Sequence, residues 1–448
     1  MRRWVVTVLC LVQFVDVLGV TSATTAIPAI IDGLNLDEAA AGPIATMYAM
    51  FFGGFLVLGA RLGDRYGHRR ILLAGIVMFA LVSIVGGTAT GLAQLLIARA
   101  AQGAAAAISV PSALRLLLHA SPEGRARTTA LAAWSAVGAA AGASGFLVGG
   151  VLAQSLGWQA VFWVNAPVGA LLAAGILSVI PVLPPQKRTG SLDAFGAVLL
   201  IGAVMAIVFG CSLLESASTR ALGVAGIVAG ALIGAGFVVR QRLAADPLIP
   251  LDAFRSSNIR VGTLVSFVNT AATSSSAVIA TLFLQGQLDA SPIAAGLTLM
   301  ALSIAVIVAS SLVRTLSRWL DSRRLAIAGL GIIAGGNIVL ACTYGTWWGI
   351  TVGVGIAGFG LGLASVGATS IGTDVSDSLA GSASGILNTG AQIGTALGTA
   401  LLVVVASFDL GRIPGTALAW SIAALGALAT ALSLTVTLLR RQVVRSRR

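Results

Sequence analysis

Charge is scarce in this sequence. Only 9% of its 448 residues are Asp, Glu, Lys or Arg, against roughly 25% in a soluble domain. Lysine occurs once, at Lys187. Histidine is limited to His68 and His119, in or beside basic loops, which gives no metal pair. Cys10, Cys211 and Cys342 stand in separate hydrophobic runs, so neither a metal site nor a disulfide framework is implied. No ATP-binding loop, spaced nucleophile–base pair or soluble catalytic domain can be read. This argues against an enzyme and against a bound cofactor, and leaves ion gradients as the energy source. The one literal G-x-G-x-x-G, GVGIAG at 353–358, lies inside an apolar run whose N–H groups a helix needs. A dinucleotide site requires a strand-to-helix turn there, so the glycines read as packing residues.

Apolar runs fill the space that charge leaves. Hydrophobic residues make up 57% of the chain, and mean hydropathy is +0.98. Runs of about 20 apolar residues, each long enough to cross ~30 Å of hydrocarbon, recur at 4–31, 43–60, 71–90, 92–118, 129–153, 160–181, 194–214, 221–240, 259–285, 292–313, 324–343, 347–370, 381–405 and 415–439. The first run follows MRRW like a signal peptide, but it is too long for one and many spans follow. A net charge of +12 would suggest nucleic acid in a soluble protein. Here all but four of the 27 Lys+Arg fall in alternate loops and the termini. The four are Arg99 and Arg115 within the fourth span and Arg220 and Arg412 in the opposite loops. By the positive-inside rule both termini are cytoplasmic and no nucleic-acid role is needed.

The spans group as six, two and six, an all-α polytopic membrane protein. Residues 1–183 form an N-terminal six-helix bundle, and 184–243 a linker with two extra membrane helices. Residues 244–448 form a C-terminal six-helix bundle with a basic tail. Each bundle has a basic loop between its second and third spans, at 61–70 and 314–324. Such an internal repeat places a transport site near the bilayer midplane.

Several motifs carry more than topology. GARLGDRYGHRR at 59–70 packs Asp64 and four arginines into a tight turn able to clamp two helix ends. A plain topology loop would need its arginines but not Asp64 or Gly67. In the fourth span Arg99, Gln102 and Gly103 share a face, and Arg99 lies about 12 Å from the start, deep for snorkelling. Gly138, Gly142, Gly145 and Gly149 form one stripe, with Trp134 in line. The stripe reads as close helix packing or as a sliding surface. The 259–285 span carries a polar patch, Asn269, Thr273 and Ser274–Ser276, that either lines a cavity or bonds to its own carbonyls. Asn388 and Gln392 lie one turn apart in SASGILNTGAQIGTALGTALL and suit either interhelical bonding or substrate contact.

These stretches together resemble the major facilitator superfamily, and in particular its fourteen-helix drug:proton antiporters. Leu62, Asp64, Arg65, Gly67 and Arg69 match the family's signature loop, which gates the cytoplasmic side. Ala60 stands where glycine is usual, and His68 where a basic residue is usual. Arg99, Gln102 and Gly103 match R-x-x-Q-G. SGFLVGG is similar to the antiporter motif, with Phe146 in place of proline. The resemblance implies a major facilitator fold of two six-helix bundles around a central hairpin.

Asp16 sits in the middle of the first span. A carboxylate at bilayer depth costs at least ~2.5–3.5 kcal/mol unless it pairs, titrates or faces a cavity. Gln13, Asp16, Val20 and Thr24 share one helix side, which argues for a cavity. At 1.5 Å per residue Asp16 is about 18 Å from the cytoplasmic end, and so about 12 Å from the outer edge, matching Arg99. The pair is expected to interact directly or through water and to exchange a proton; the alternative is a static ion pair. In similar exporters the first-helix acid falls where Gly19 stands here, one turn later on much the same face.

The expected function is secondary active, proton-coupled efflux of drugs or amphipathic natural products by alternating access. Protons, the lipid bilayer and a small amphipathic organic substrate are the partners. The protein is expected to be a monomer in the bacterial inner membrane. The alternatives are a transporter of an endogenous metabolite or lipid, in either direction, and a non-transporting receptor or scaffold. Gln13, Thr24, Gln102, Trp134, Asn269, Thr273, Asn388 and Gln392 are the expected cavity residues, Asp16 and Arg99 the coupling pair, and Asp64, Arg65, Gly67 and Arg69 the cytoplasmic gate.

Overall fold

A hydrocarbon core offers the backbone no hydrogen bonds, so spans of this composition must satisfy their peptide groups internally, as helices do. The computed structural model describes residues 2–122, 125–181, 193–214, 218–343, 345–375, 377–408 and 414–446. Every regular element among the described residues is helical. The first half contains α1 (Arg2–Gly33), α2 (Ala41–Tyr66), α3 (His68–Gly87), α4 (Leu92–Ala120), α5 (Arg125–Leu156), α6 (Gln159–Trp163) and α7 (Asn165–Val179), then α8 (Ala194–Ser212) and α9 (Arg220–Leu243). The second contains α10 (Ser257–Gly286), α11 (Pro292–Leu316), α12 (Ser322–Thr343), α13 (Trp347–Thr373), α14 (Asp377–Ser407) and α15 (Gly415–Ser446). Fourteen spans among the described residues are long and apolar enough to cross a membrane, α6 and α7 together making one. The expected linker at 184–192 and the loop arginine Arg412 lie outside the described residues.

Two spans end differently from the hydropathy pattern. The basic stretch at 59–70 was expected as a loop, but α2 runs on through it to Tyr66 and α3 starts at His68. Gly67 alone makes the turn, at φ 94°, a left-handed conformation that favours glycine. Its N–H donates to Gly63 O at 2.9 Å. The sixth span is interrupted at Val164. Pro167 has no N–H for the carbonyl of Trp163, so it sits in the first turn of a new helix, where the missing donor costs nothing.

The chain divides into two compact units, Met1–Pro250 with Leu284–Met300, and Leu251–Phe283 with Ala301–Arg448. In the first, α1 to α5 and α7 enclose a core including Leu9, Val12, Leu72, Ile76, Leu117 and Ile176. Leu171 and Leu232 point outward, 74% and 68% exposed. An apolar surface of this kind suits lipid, not water. In the second unit α12 packs on α13 through glycines. A Cβ on Gly336 would meet the Ala357 backbone, and one on Gly360 the Gly329 carbonyl at 2.6 Å. Gly353 and Gly358, two of the three glycines of GVGIAG that resemble a dinucleotide motif, likewise face Leu340 and the Leu302 backbone.

One buried carboxylate ties the central hairpin together. Asp193 precedes α8, 4% exposed, and accepts from Gly196 N (3.2 Å), Arg240 Nε (3.1 Å), Gln241 Nε2 (2.8 Å) and Leu248 N (2.9 Å). Gln241 Oε1 accepts in turn from Ile249 N at 2.8 Å. The knot therefore joins the start of α8, the end of α9 and the chain after α9. Burial pushes the Asp193 carboxyl up, but the bonds from Gln241, Leu248, Gly196 and Arg240 outweigh it and hold the group below its usual 3.8. A lowered carboxyl contributes stability that is full above the unfolded value and disappears as pH falls through the folded one. Asp193→Ala is expected to cost ~3–5 kcal/mol, the range for breaking a buried charge pair. Its loss of thermal stability relative to the parent should shrink below pH 3.8. Unfolding curves of both proteins at neutral and acid pH check this.

Candidate functional site

Helix packing in the first unit gathers polar groups from four elements. Asp16 on α1 is half-buried, and the Tyr48 hydroxyl on α2 donates a hydrogen bond to its Oδ1. The Arg99 guanidinium on α4 lies over the Tyr48 ring, 5.0 Å from its centroid, a cation–π distance. Arg99 is 3% exposed, and its Nη1 donates to Gln102 Oε1 at 3.3 Å. Gln102 Nε2 donates to Ser83 Oγ on α3 (2.7 Å), which donates to Phe79 O (2.7 Å). The result is a chain: Asp16, Tyr48, Arg99, Gln102, Ser83. Among the described residues Asp16 and Arg99 form no ion pair within 4.0 Å; Tyr48 stands between them. Arg99 Nε and Gln13 Oε1 are enclosed without a protein partner there.

The other expected cavity residues of this unit have mixed surroundings. Gln102 is 1% exposed and occupied by Arg99 and Ser83. The Thr24 hydroxyl donates to Val20 O (3.0 Å) on its own helix. Trp134 packs against the apolar core. The glycine stripe faces α1: a Cβ on Gly138 would lie 3.3 Å from Gln13 Nε2, while Gly145 meets Thr21 and Leu18, and Gly149 the Ser22 backbone. Phe146 is buried and leaves α5 unbroken. The Phe146 backbone borders Gly296, and Gly150 borders Pro292, within the same unit.

The Gly67 turn is fastened from both sides. Asp64 Oδ1 lies 3.1 Å from His68 Nε2 across the turn. Arg69 Nη2 donates to Leu177 O at 2.8 Å. Arg61 donates to the carbonyls of Asp246 (3.2 Å) and Pro247 (2.8 Å), on the segment that the Asp193 knot holds. Arg65 is exposed, its guanidinium over the Tyr66 ring at 5.6 Å.

The second unit holds a cavity of about 240 Å³ among α10, α13 and α14, lined by Ser266, Asn269, Thr270, Ser365, Thr369, Ser384, Leu387, Asn388 and Ala391. Asn269 and Asn388, singled out from separate stretches, thus meet at one site. Asn269 Nδ2 donates to Ser365 Oγ at 2.9 Å. Thr273 is not at the cavity; it is buried and donates to Asn269 O (2.8 Å). Ser275 and Ser276 also bond to carbonyls of their own helix. Gln392 is half-buried one turn beyond Asn388 and does not line the cavity.

Tyr48, Ser83 and the cavity serines did not stand out in the sequence. Tyr48 had one available signal, as one of three tyrosines placed well inside an apolar span. No group of three or more metal-ligating side chains occurs among the described residues.

A family model for the Major Facilitator Superfamily matches residues 9–399. The chain is 34% identical over 418 residues to the cephamycin export protein CmcT of Amycolatopsis lactamdurans, covering 88% of this chain and 83% of that one. It is 33% identical to the puromycin resistance protein of Streptomyces alboniger (91% and 82% covered). With the tetracenomycin C resistance and export protein of Streptomyces glaucescens it shares 32% identity (88% and 74% covered). Among solved structures, the POT family transporter PepTSo superposes with TM-score 0.70 at 13% identity, over 99% of both chains. The nucleoside transporter NupG gives 0.65 at 14% identity, over 96% and 99%. At these identities the structures speak for the fold alone.

Proposed function

Because the chain belongs to the Major Facilitator Superfamily, we propose that it is a proton-coupled exporter of small amphipathic organic molecules in a bacterial inner membrane. The observation that carries the coupling is the Asp16–Tyr48–Arg99 chain. A membrane-embedded acid whose hydrogen bond among the described residues comes from a neutral hydroxyl, with a cation over the face of that ring, can gain and lose a proton without breaking an ion pair. Proton binding changes which conformation is favoured only if the two conformations differ in affinity for it. Tyr48 supplies a group whose bond to Asp16 differs between protonated and ionised acid. The relatives named for antibiotic export or resistance support the outward direction and the substrate class. The asymmetry of basic loops supports cytoplasmic termini. The coupling chain is formed within one chain, in keeping with a monomeric transporter.

Inside-out vesicles bearing the protein test the direction. A fluorescent amphipathic compound is expected to accumulate in them when their interior is acid, and to be released when the gradient is collapsed. Accumulation only with the opposite gradient would make the protein an importer. Substitution of Tyr48 separates its two parts. Tyr48→Phe keeps the ring beneath Arg99 and removes the donor to Asp16. Hydrogen bonds to charged groups contribute about 1.5–3 kcal/mol, so a drop of roughly tenfold or more in proton-driven transport is expected. Initial rates at matched protein levels check it; an unchanged rate would remove Tyr48 from the coupling chain.

A further inference from the structure

We propose that the cavity among α10, α13 and α14 is a subsite for the neutral, hydroxyl- or amide-bearing part of the exported molecule. This deepens the export reading and rests on it. Seven of the nine lining residues are serine, threonine or asparagine, and none is charged. The chemistry selects donors and acceptors without selecting sign. A cationic or anionic group placed there would lose its hydration and find no counter-charge among the lining residues.

The lining groups differ in whether they are free. Thr270 is committed: its hydroxyl lies 2.6 Å from Ala391 O and 3.0 Å from Ser266 O. Ser266, Thr369, Ser384 and Asn388 make no side-chain hydrogen bond among the described residues, and Thr369, Ser384 and Asn388 are exposed at the cavity. Asn269 is 1% exposed; one end of its amide is held by Ser365, and its Oδ1 has no partner. A buried amide oxygen without a donor is unfavourable, and a ligand hydroxyl or N–H brought to this wall relieves it once the amide turns. The groups converge from three helices, and Asn269 lies 12 residues into α10, about 18 Å along it at 1.5 Å per residue.

Size limits what enters. About 240 Å³ holds roughly eight waters at ~30 Å³ each, and is below the ~300–1,000 Å³ of a site for a whole drug-sized ligand. One sugar-sized ring or a short amide arm fits; the apolar body of the molecule does not.

Three fluorescent probes on one coumarin body test this, with the protein in lipid nanodiscs. One probe carries a glucosyl group, one a methyl ether and one an aminoethyl ether. The glucoside is expected to bind at least tenfold more tightly than the methyl ether. In the double variant Ser384→Ala, Asn388→Leu the difference is expected to fall below threefold. Asn269→Asp, similar in size, is expected to move the preference toward the aminoethyl probe. Equal affinity of the parent for glucoside and methyl ether, absence of binding by both included, would overturn the proposal, as would a full difference in the double variant. Efflux of an amphipathic compound by the same preparations, measured in proteoliposomes, is the separate arm. Efflux with no glucoside preference sinks the subsite and leaves the export reading intact; no efflux of any compound sinks the export reading.

Discussion

Asp16→Asn is expected to reduce efflux driven by a pH gradient to the rate of protein-free liposomes, while exchange of labelled for unlabelled substrate at equal pH continues. Asparagine has nearly the volume of aspartate and keeps an oxygen for the Tyr48 hydroxyl, so the contact between α1 and α2 survives. What it lacks is a group that titrates. The substitution also removes a charge that is costly at bilayer depth, so the folded protein should be no less stable. Exchange needs the substrate-loaded protein to change conformation but needs no net proton movement, and therefore reports whether the transporter still works. Loss of both activities would point to a structural role for Asp16. Retention of both would place the titrating group elsewhere.

Gly149→Val is expected to be strongly damaging although it lies outside the coupling chain. The Cβ of a side chain at 149 would lie 2.6 Å from Ser22 Cα and 2.8 Å from its carbonyl carbon. Backbone cannot move aside as a side-chain tip can. Overpacking a well-packed interior commonly costs ~1–3 kcal/mol, and here relief requires α1 to separate from α5 along the stripe that also contains Gly145. Since α1 carries Asp16, the shift is expected to abolish transport even in the fraction that folds. Gly331→Val is the control: its Cβ meets nothing within 4 Å, so yield and transport should match the parent. Monodisperse yield in mild detergent and efflux in liposomes check both variants. Parental values for Gly149→Val would contradict the packing account.

Hydropathy was sufficient for the spans because a membrane helix satisfies its own backbone, so an apolar run of the right length carries its own structural instruction. The ends were less legible. Between 61 and 66 the charges suggested a loop, but charged side chains at a helix end can reach water while their backbone stays helical, and only Gly67 had to leave the helix. The break at Val164 follows from Pro167, which hydropathy does not register.

In the candidate site, Asp16 and Arg99 were visible because a charge within an apolar run is conspicuous. Tyr48 was not, since an aromatic ring in such a run is unremarkable, and its place between the two charges depends on how α1, α2 and α4 pack. The polar patch of α10 divides in a way its sequence did not show. Asn269 reaches a cavity wall, whereas Thr273, Ser275 and Ser276 bond to carbonyls of their own helix. Ser365 and Ser384 were ordinary residues until the fold brought them beside Asn388. The glycine stripe is the converse case. Its spacing alone indicated a close contact, and the structure supplies the partner, α1.

The most direct measurement of proton-coupled export is the proton flux that substrate itself induces. Proteoliposomes containing a pH-sensitive dye, with no imposed gradient, would be exposed to a panel of amphipathic compounds. For each transported compound, proton movement opposite to the compound, in a fixed ratio to its flux, is expected in the parent protein and absent in Asp16→Asn. Substrate flux with no accompanying proton movement in the parent would contradict the account.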